Sequence, residues 1–304
     1  RVLFRSVSSV VASRQMIKLW LFQLFFPIVG RLPILFYALA WFISLLIWWL
    51  TPQLRKRIKQ NLFPIYEAAL TKPRKSGSEV IRNVVNYYVD LAAMPYRDFE
   101  KFNRTSVTYA DDSAFNFQQV VEAKSAIIMS GHIGNPEIAL TALHNAGREW
   151  LEIVEPLSEP MDEFLSGIRS HTGARVATNS LKGARTALKE LRNGGIVAIV
   201  ADRNMTEKGV CVSVFNKHIN LPAGPWQLAR ESRATVFPTF CHRGKWGSTK
   251  IFFDEPLQIP YTSNKDEDIK IAAQAWATIW ASHLKTQPTQ WTVLENFWEN
   301  HRCG

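Results

Sequence analysis

Between Ala126 and Leu284 short apolar runs alternate with helical segments, and this alternation constrains the fold more than any other feature of the chain. Ala126-Ile-Ile-Met-Ser130, Leu151 to Glu155, Arg175 to Ala177 and Ile196-Val-Ala-Ile-Val-Ala201 read as strands, the last as the clearest buried one. Helical segments are predicted between them at Pro136 to Asn145, Met161 to His171 and Lys182 to Arg192, the last closed by Asn193-Gly194-Gly195. Further extended runs follow at Val210 to Phe215, Thr235 to Cys241 and Thr249 to Phe253, and a helix from Asp266 to Leu284 closes the body. A helix is also predicted over Ser78 to Leu91. The expected fold class is α/β, a mostly parallel sheet flanked by helices on both faces. Such sheets bind ligands at the carboxyl ends of their strands.

The formal net charge of +10 has an uneven distribution. Of 36 basic residues, nine fall in the first 60 positions, which carry no acidic residue; the other 27 face 26 acidic ones. The basic segment is also the most apolar: Leu19 to Gly30 and Leu32 to Leu54 are free of charge. Trp41, Trp48, Trp49 and Tyr37 favour the headgroup level, and Arg55, Lys56, Arg57 and Lys59 follow at once. These features predict an N-terminal hydrophobic membrane-anchoring helix and argue against a nucleic-acid partner, whose binding surface would spread Lys and Arg over a folded face. The apolar run sits near the length of about 20 residues needed to cross a bilayer. Pro27 and Pro33 predict two helices joined by a bend, which can lie in the interface instead of spanning. The chain thus divides into a basic, apolar anchor over residues 1–60 and an α/β domain over 61–304.

Three cysteines form no CxxC and no even framework, which fits a reducing compartment with Cys211 and Cys241 as buried apolar residues. The histidines have no ligand spacing, so no metal is expected, and there is no GxSxG, GxxxxGK[ST], GxGxxG or HExxH motif.

Chemistry is expected at the strand ends. Ser130-Gly-His132-Ile-Gly-Asn135-Pro-Glu137 joins a strand to a helix, with Asn135 as N-cap and Pro136 in the first helical position. Glu137 in the first turn is expected to reach back to the His132 imidazole, which could then take a proton from a hydroxyl. A helix cap beside an incidental histidine fits the same residues. Ala201-Asp202-Arg203 ends the clearest strand and can bind a polar headgroup or form a structural ion pair. Glu155 ends the second strand, Arg169 lies on the helix after it, and Leu221-Pro-Ala-Gly224-Pro225 opens a helix whose free N–H groups could receive a phosphate.

Taken together, the apolar N-terminus, His132-x4-Glu137, Ala201-Asp202-Arg203, Gly209-Val-Cys-Val and Leu221-Pro-Ala-Gly-Pro225 resemble the bacterial lipid A biosynthesis (lauroyl/myristoyl) acyltransferase family, which includes phosphatidylinositol mannoside acyltransferases and is related to the glycerolipid acyltransferases. The resemblance covers residues 16–300. It implies a membrane-associated O-acyltransferase on the cytoplasmic face of the bacterial inner membrane. Such an enzyme moves a fatty acyl chain from a thioester, acyl-CoA or an acyl carrier protein, to a glycolipid or lysolipid hydroxyl, with no cofactor beyond that donor. Carried over, His132 is the catalytic base and Glu137 its orienting partner. Glu155, Arg169, Asp202, Arg203, Glu207 and Gly224 would bind substrate. Members commonly have an aromatic residue where this chain has Pro136, so a phosphatidylinositol mannoside type of acceptor or another glycolipid fits as well as a lipid A precursor. Two other classes fit the same residues: a lipid or thioester hydrolase using water in place of the acceptor, and a non-catalytic lipid-binding protein.

Overall fold

The computed structural model describes residues 19–70, 77–206 and 209–303. Two apolar helices open it, α1 (Leu19–Arg31) and α2 (Pro33–Leu50), and Leu32 between them is the bend that Pro33 predicts. Helix α2 packs along α4 (Ser78–Ala93) of the body. It buries the narrow stripe Ala40, Ser44 and Trp48 and leaves Ile34, Phe42, Leu46 and Trp49 in the open. The predicted domain boundary at residue 60 falls inside α3 (Pro52–Ala68), whose Ile58, Leu62 and Ile65 pack into the body's core.

The body is built on a seven-stranded sheet of order β1-β9-β8-β2-β5-β3-β4. Its strands are β1 (Val107–Tyr109), β2 (Ala126–Ser130), β3 (Trp150–Val154), β4 (Ala174–Thr178), β5 (Ile196–Val200), β8 (Thr235–Arg243) and β9 (Thr249–Phe253). All neighbours are parallel except β8 and β9, which pair antiparallel across the turn at Trp246. Crossover helices connect the parallel strands: α7 (Pro136–Asn145), α8 (Glu159–Ser170) and α9 (Leu181–Arg192). Helices α5 (Phe99–Ser106) and α6 (Ser113–Glu122) precede them.

Period-two alternation splits the core between the two faces. Ile127, Met129, Val197 and Ile199 face α3, α9, α10 (Gly224–Ser232) and α11 (Lys265–Thr286), where Trp226, Trp276 and Trp280 are fully buried. Ala126, Ile128, Ile196 and Ala198 face α4, α7 and α8. The predicted α/β architecture with helices on both faces is therefore the observed one.

Two expectations fail. The Val210 to Phe215 run does not join the main sheet. As β6 (Gly209–Val214) it pairs antiparallel with β7 (Lys217–Pro222) in a hairpin of its own, so Leu221 and Pro222 belong to a strand and the helix begins only at Gly224. Cys211 is exposed and forms a disulfide with Cys303, 92 residues away, whereas Cys241 is a buried free thiol as expected. The chain after α12 (Phe297–Asn300) lies against β7, with Cys303 N–H donating to the His218 carbonyl at 3.2 Å. That return brings together two sulfurs which sequence spacing keeps far apart.

Candidate active site

Strands β2 and β5 are parallel neighbours in a register that pairs Ser130 with Val200. Two residues beyond each strand end lie His132 and Asp202, so equal offsets bring their side chains together. The His132 Nδ1–H donates to Asp202 Oδ1 at 2.6 Å, and the His132 backbone N–H donates to Asp202 Oδ2 at 2.9 Å. The Trp291 indole N–H adds a third bond to Asp202 Oδ2 at 3.0 Å. Asp202 has no exposed surface, while His132 opens on a cavity with its side chain 33% exposed. Burial alone would lower the imidazole pKa, but the charge and hydrogen bond of Asp202 outweigh it and raise the pKa above the ordinary value. Burial likewise opposes the Asp202 charge, and its bonds from His132 and Trp291 prevail and lower its pKa.

The loop that carries His132 is held closely. Gly131 has no room for a side chain: a Cβ there would stand 2.9 Å from the Trp280 ring. Gly134 takes a positive φ of 63° against the Cys241 carbonyl. The Thr292 N–H and hydroxyl both donate to the His132 carbonyl, at 2.9 and 3.1 Å, and Gly134 N–H donates to the Gln290 carbonyl at 2.9 Å.

Glu137 does not reach His132. Its helix turns it toward α4 and α8, where Glu137 Oε1 accepts from the Tyr87 hydroxyl at 2.6 Å and from Arg169 Nη2 at 2.9 Å. The expectation that Glu137 orients the imidazole is therefore corrected: Asp202 makes that contact. Asp202 in turn is not at the cavity wall, where a substrate-binding residue would be. Arg169 also lies 3.6 Å from Glu152 on β3, so one guanidinium serves two buried carboxylates. Burial and the neighbouring Glu137 charge push the Glu152 carboxyl well above the usual carboxylate range. Glu137 Oε2 is buried without a partner among the described residues.

At the cavity mouth Arg203 is already paired. Its Nε donates to Glu295 Oε1 at 2.7 Å and its Nη1 to Glu155 Oε1 at 3.0 Å, and His301 bonds the same Glu295 oxygen at 3.0 Å. The cavity of about 830 Å³ brings together His132, Glu137, Glu155, Arg169, Arg203 and Gly224. Glu207 lies outside the described residues. Its size is within the range of ligand pockets, about 300–1,000 Å³.

Sequence reasoning missed Glu152, Tyr87, Trp291 and Glu295. Glu152 stands inside a strand as a charge on an otherwise buried face, which is a readable signal. Tyr87, Trp291 and Glu295 reach the site only through tertiary packing and carry no local signal. Chemically, the site offers an imidazole whose Nδ1 is held by a buried carboxylate, leaving Nε2 to take a proton in the cavity.

The chain is 29% identical over 111 residues to the phosphatidylinositol mannoside acyltransferase of Mycobacterium tuberculosis (strain CDC 1551 / Oshkosh), covering 36% of this chain and 33% of that protein. It is 29% identical over 103 residues to the protein of the same name from Mycolicibacterium smegmatis, covering 34% of this chain and 32% of the relative. The matches thus span about a third of the length of these curated relatives. A family model described as bacterial lipid A biosynthesis acyltransferase matches residues 8–300, nearly the whole chain. The protein belongs to the bacterial lipid A biosynthesis acyltransferase family.

Proposed function

We propose that this chain is an O-acyltransferase that moves a fatty acyl group from a thioester donor to a hydroxyl of a glycolipid. The observation that carries the reading is the His132 imidazole, open to an acyl-sized cavity and held at Nδ1 by the buried Asp202. His132 Nε2 takes the proton of the acceptor hydroxyl, and the alkoxide attacks the thioester carbonyl. The tetrahedral intermediate collapses to the ester, and the departing thiolate takes the proton back from the imidazolium. Asp202 stabilises that imidazolium and keeps the ring in one tautomer. Transfer is direct, with no acyl-enzyme. The donor is acyl-CoA or an acyl carrier protein. The acceptor is a glycolipid of the phosphatidylinositol mannoside or lipid A precursor kind, in keeping with the family and the names of the relatives.

Membrane association belongs to the same reading. Helices α1 and α2 present Trp20, Phe25, Ile34, Phe42, Leu46 and Trp49 outward, while α2 is bound to the body along its inner stripe. That arrangement supports a helix pair lying in the interface rather than crossing the bilayer. Lys56, Arg57 and Lys59 on α3 stand exposed beside it for anionic headgroups. Replacing Phe42 and Leu46 together by Asp should release the protein from anionic vesicles in a flotation assay; unchanged binding removes this surface from the account. Attraction of a basic cluster to the anionic cytoplasmic leaflet favours docking on the cytoplasmic face of the inner membrane. Disulfides are rare in reducing compartments, so thiol counting on the protein as isolated from cells, where Cys211 and Cys303 should then be partly reduced, checks that placement.

The test of the activity is thiol release from an acyl thioester with and without glycolipid in the vesicles. Acceptor-dependent release that falls by about 10³ in His132→Ala supports transfer. Acceptor-independent release points to a hydrolase, and full activity in His132→Ala contradicts the assignment.

A further inference from the structure

The loop that carries His132 is fastened from a third side, away from the cavity. Asn135, three residues after His132, uses both ends of its side chain. Its Oδ1 accepts from Glu137 N–H at 3.0 Å as the N-cap of α7, and its Nδ2 donates to Asp90 Oδ2 at 3.1 Å. Asp90 is buried on α4, one turn beyond the Tyr87 that holds Glu137. One face of α4 thus grips the loop end and the first turn of α7 together.

Asp90 is itself the centre of a cluster that draws on three further places in the fold. Arg97 Nη2 donates to its Oδ1 at 3.1 Å, and Arg243 Nη2 at the end of β8 donates to its Oδ2. The Tyr37 hydroxyl of α2 donates to Oδ1 and accepts from Arg97 at 2.8 Å. Arg243 is locked in turn by its own N–H on Gln290 Oε1 at 2.6 Å, and Gln290 holds the loop at Gly134. Two guanidiniums share one carboxylate, and Arg97 Nη1 with Arg243 Nε and Nη1 are left buried without a partner among the described residues. Their combined positive charge overcomes burial and keeps Asp90 ionised.

We infer that Asp90 is a positioning residue for the catalytic loop, holding it through Asn135 and held in its turn by the Tyr37 hydroxyl of α2. The inference rests on the acyl-transfer reading with His132 as base. Its consequence is that the seating of the apolar helix α2 reaches the catalytic loop through two hydrogen bonds, Tyr37 to Asp90 and Asn135 to Asp90. The loop contains two glycines, Gly131 and Gly134, and small displacements there move His132 against Asp202. Misplacement of a catalytic group by about 1 Å is enough to lower a rate substantially.

Removing Asp90 itself would strand two buried guanidiniums and threaten folding. The test therefore uses Asn135→Ser and Tyr37→Phe in the full chain on glycolipid vesicles. Serine caps a helix about as well as asparagine but has no amide to offer Asp90. Asn135→Ser should lower kcat about tenfold with the KM for the acyl thioester unchanged. It should also move the acid limb of the kcat–pH profile downward as His132 slips from Asp202. The other charged groups facing His132, Arg203 and Glu155, stay where they are. Tyr37→Phe should shift both quantities in the same direction by a smaller amount. A role in stability alone would lower the melting temperature without moving the acid limb. Wild-type kcat and an unmoved acid limb in either variant overturn the inference, provided His132→Ala remains inactive. An active His132→Ala is a different outcome, which overturns the reading beneath it.

Discussion

Two buried acidic clusters flank the cavity, and they solve the problem of a buried charge in opposite ways. On one side a single carboxylate, Asp202, faces a single titratable base, His132, and its oxygens receive three hydrogen bonds at 2.6 to 3.0 Å. On the other side Glu137 and Glu152 share one guanidinium, Arg169, and Glu137 Oε2 has no partner among the described residues. The first cluster is satisfied and directional, so it fixes a tautomer and favours the protonated imidazole. The second carries a surplus carboxylate, which burial relieves by keeping Glu152 protonated over a wide pH range. Both clusters contain a residue that the sequence motif singles out, yet only Asp202 touches the His132 imidazole.

Breaking the satisfied cluster should have the larger effect. Asp202→Asn leaves the shape of the side chain but removes the charge that supports His132, and should lower kcat by about 10²–10³-fold, read as thiol release under saturating donor. Circular dichroism should show the fold retained. In the surplus cluster, Glu137→Gln should act less severely. Glu152 becomes the sole anion beside Arg169 and should ionise more readily, and the loss should be about tenfold or less in kcat/KM. A Glu137→Gln enzyme as impaired as Asp202→Asn would erase the distinction between the two clusters.

The smallest effect sharpens the comparison through stability. The folded-state pKa of Glu152 is raised, so its contribution to stability is full below the unfolded value of about 4.3 and is lost as pH rises through the folded value. Glu152→Gln carries no such penalty. Its melting temperature should match or fall below wild type near pH 4 and exceed it by a few degrees above the folded pKa, about what 1 kcal/mol is worth in a domain of this size. A melting curve that is equally pH-dependent in both proteins would show that Glu152 is not the strained group.

Much of this arrangement is written locally. The apolar runs at Ala126–Ser130 and Ile196–Val200 declare buried parallel strands because period and length both show in the residues themselves. The Asn135 cap and Pro136 mark the start of α7 for the same reason. The partner of His132 is not written locally. Proximity along the chain favours Glu137, five residues on, but a first-turn side chain of α7 points toward α4 and α8. Asp202, 70 residues away, is brought in by the register of β2 and β5, which no local pattern records. The Cys211–Cys303 disulfide was hidden in the same way, since the return of the chain end along β7 is a tertiary event. Arg203 shows the reverse case: its type suggests an anion site, and the fold supplies Glu155 and Glu295 to neutralise it.

The pH dependence of kcat in three proteins tests the central claim most directly. In wild type, activity should rise with pH through a midpoint above the ordinary histidine value of about 6.5, because Asp202 favours the protonated imidazole. In Asp202→Asn the residual activity should titrate at a lower pH, since burial then acts on His132 without the charge that outweighed it. In Glu137→Gln the midpoint should stay at the wild-type position. A midpoint that moves in Glu137→Gln and holds in Asp202→Asn would contradict the assignment and return the role of orienting carboxylate to Glu137.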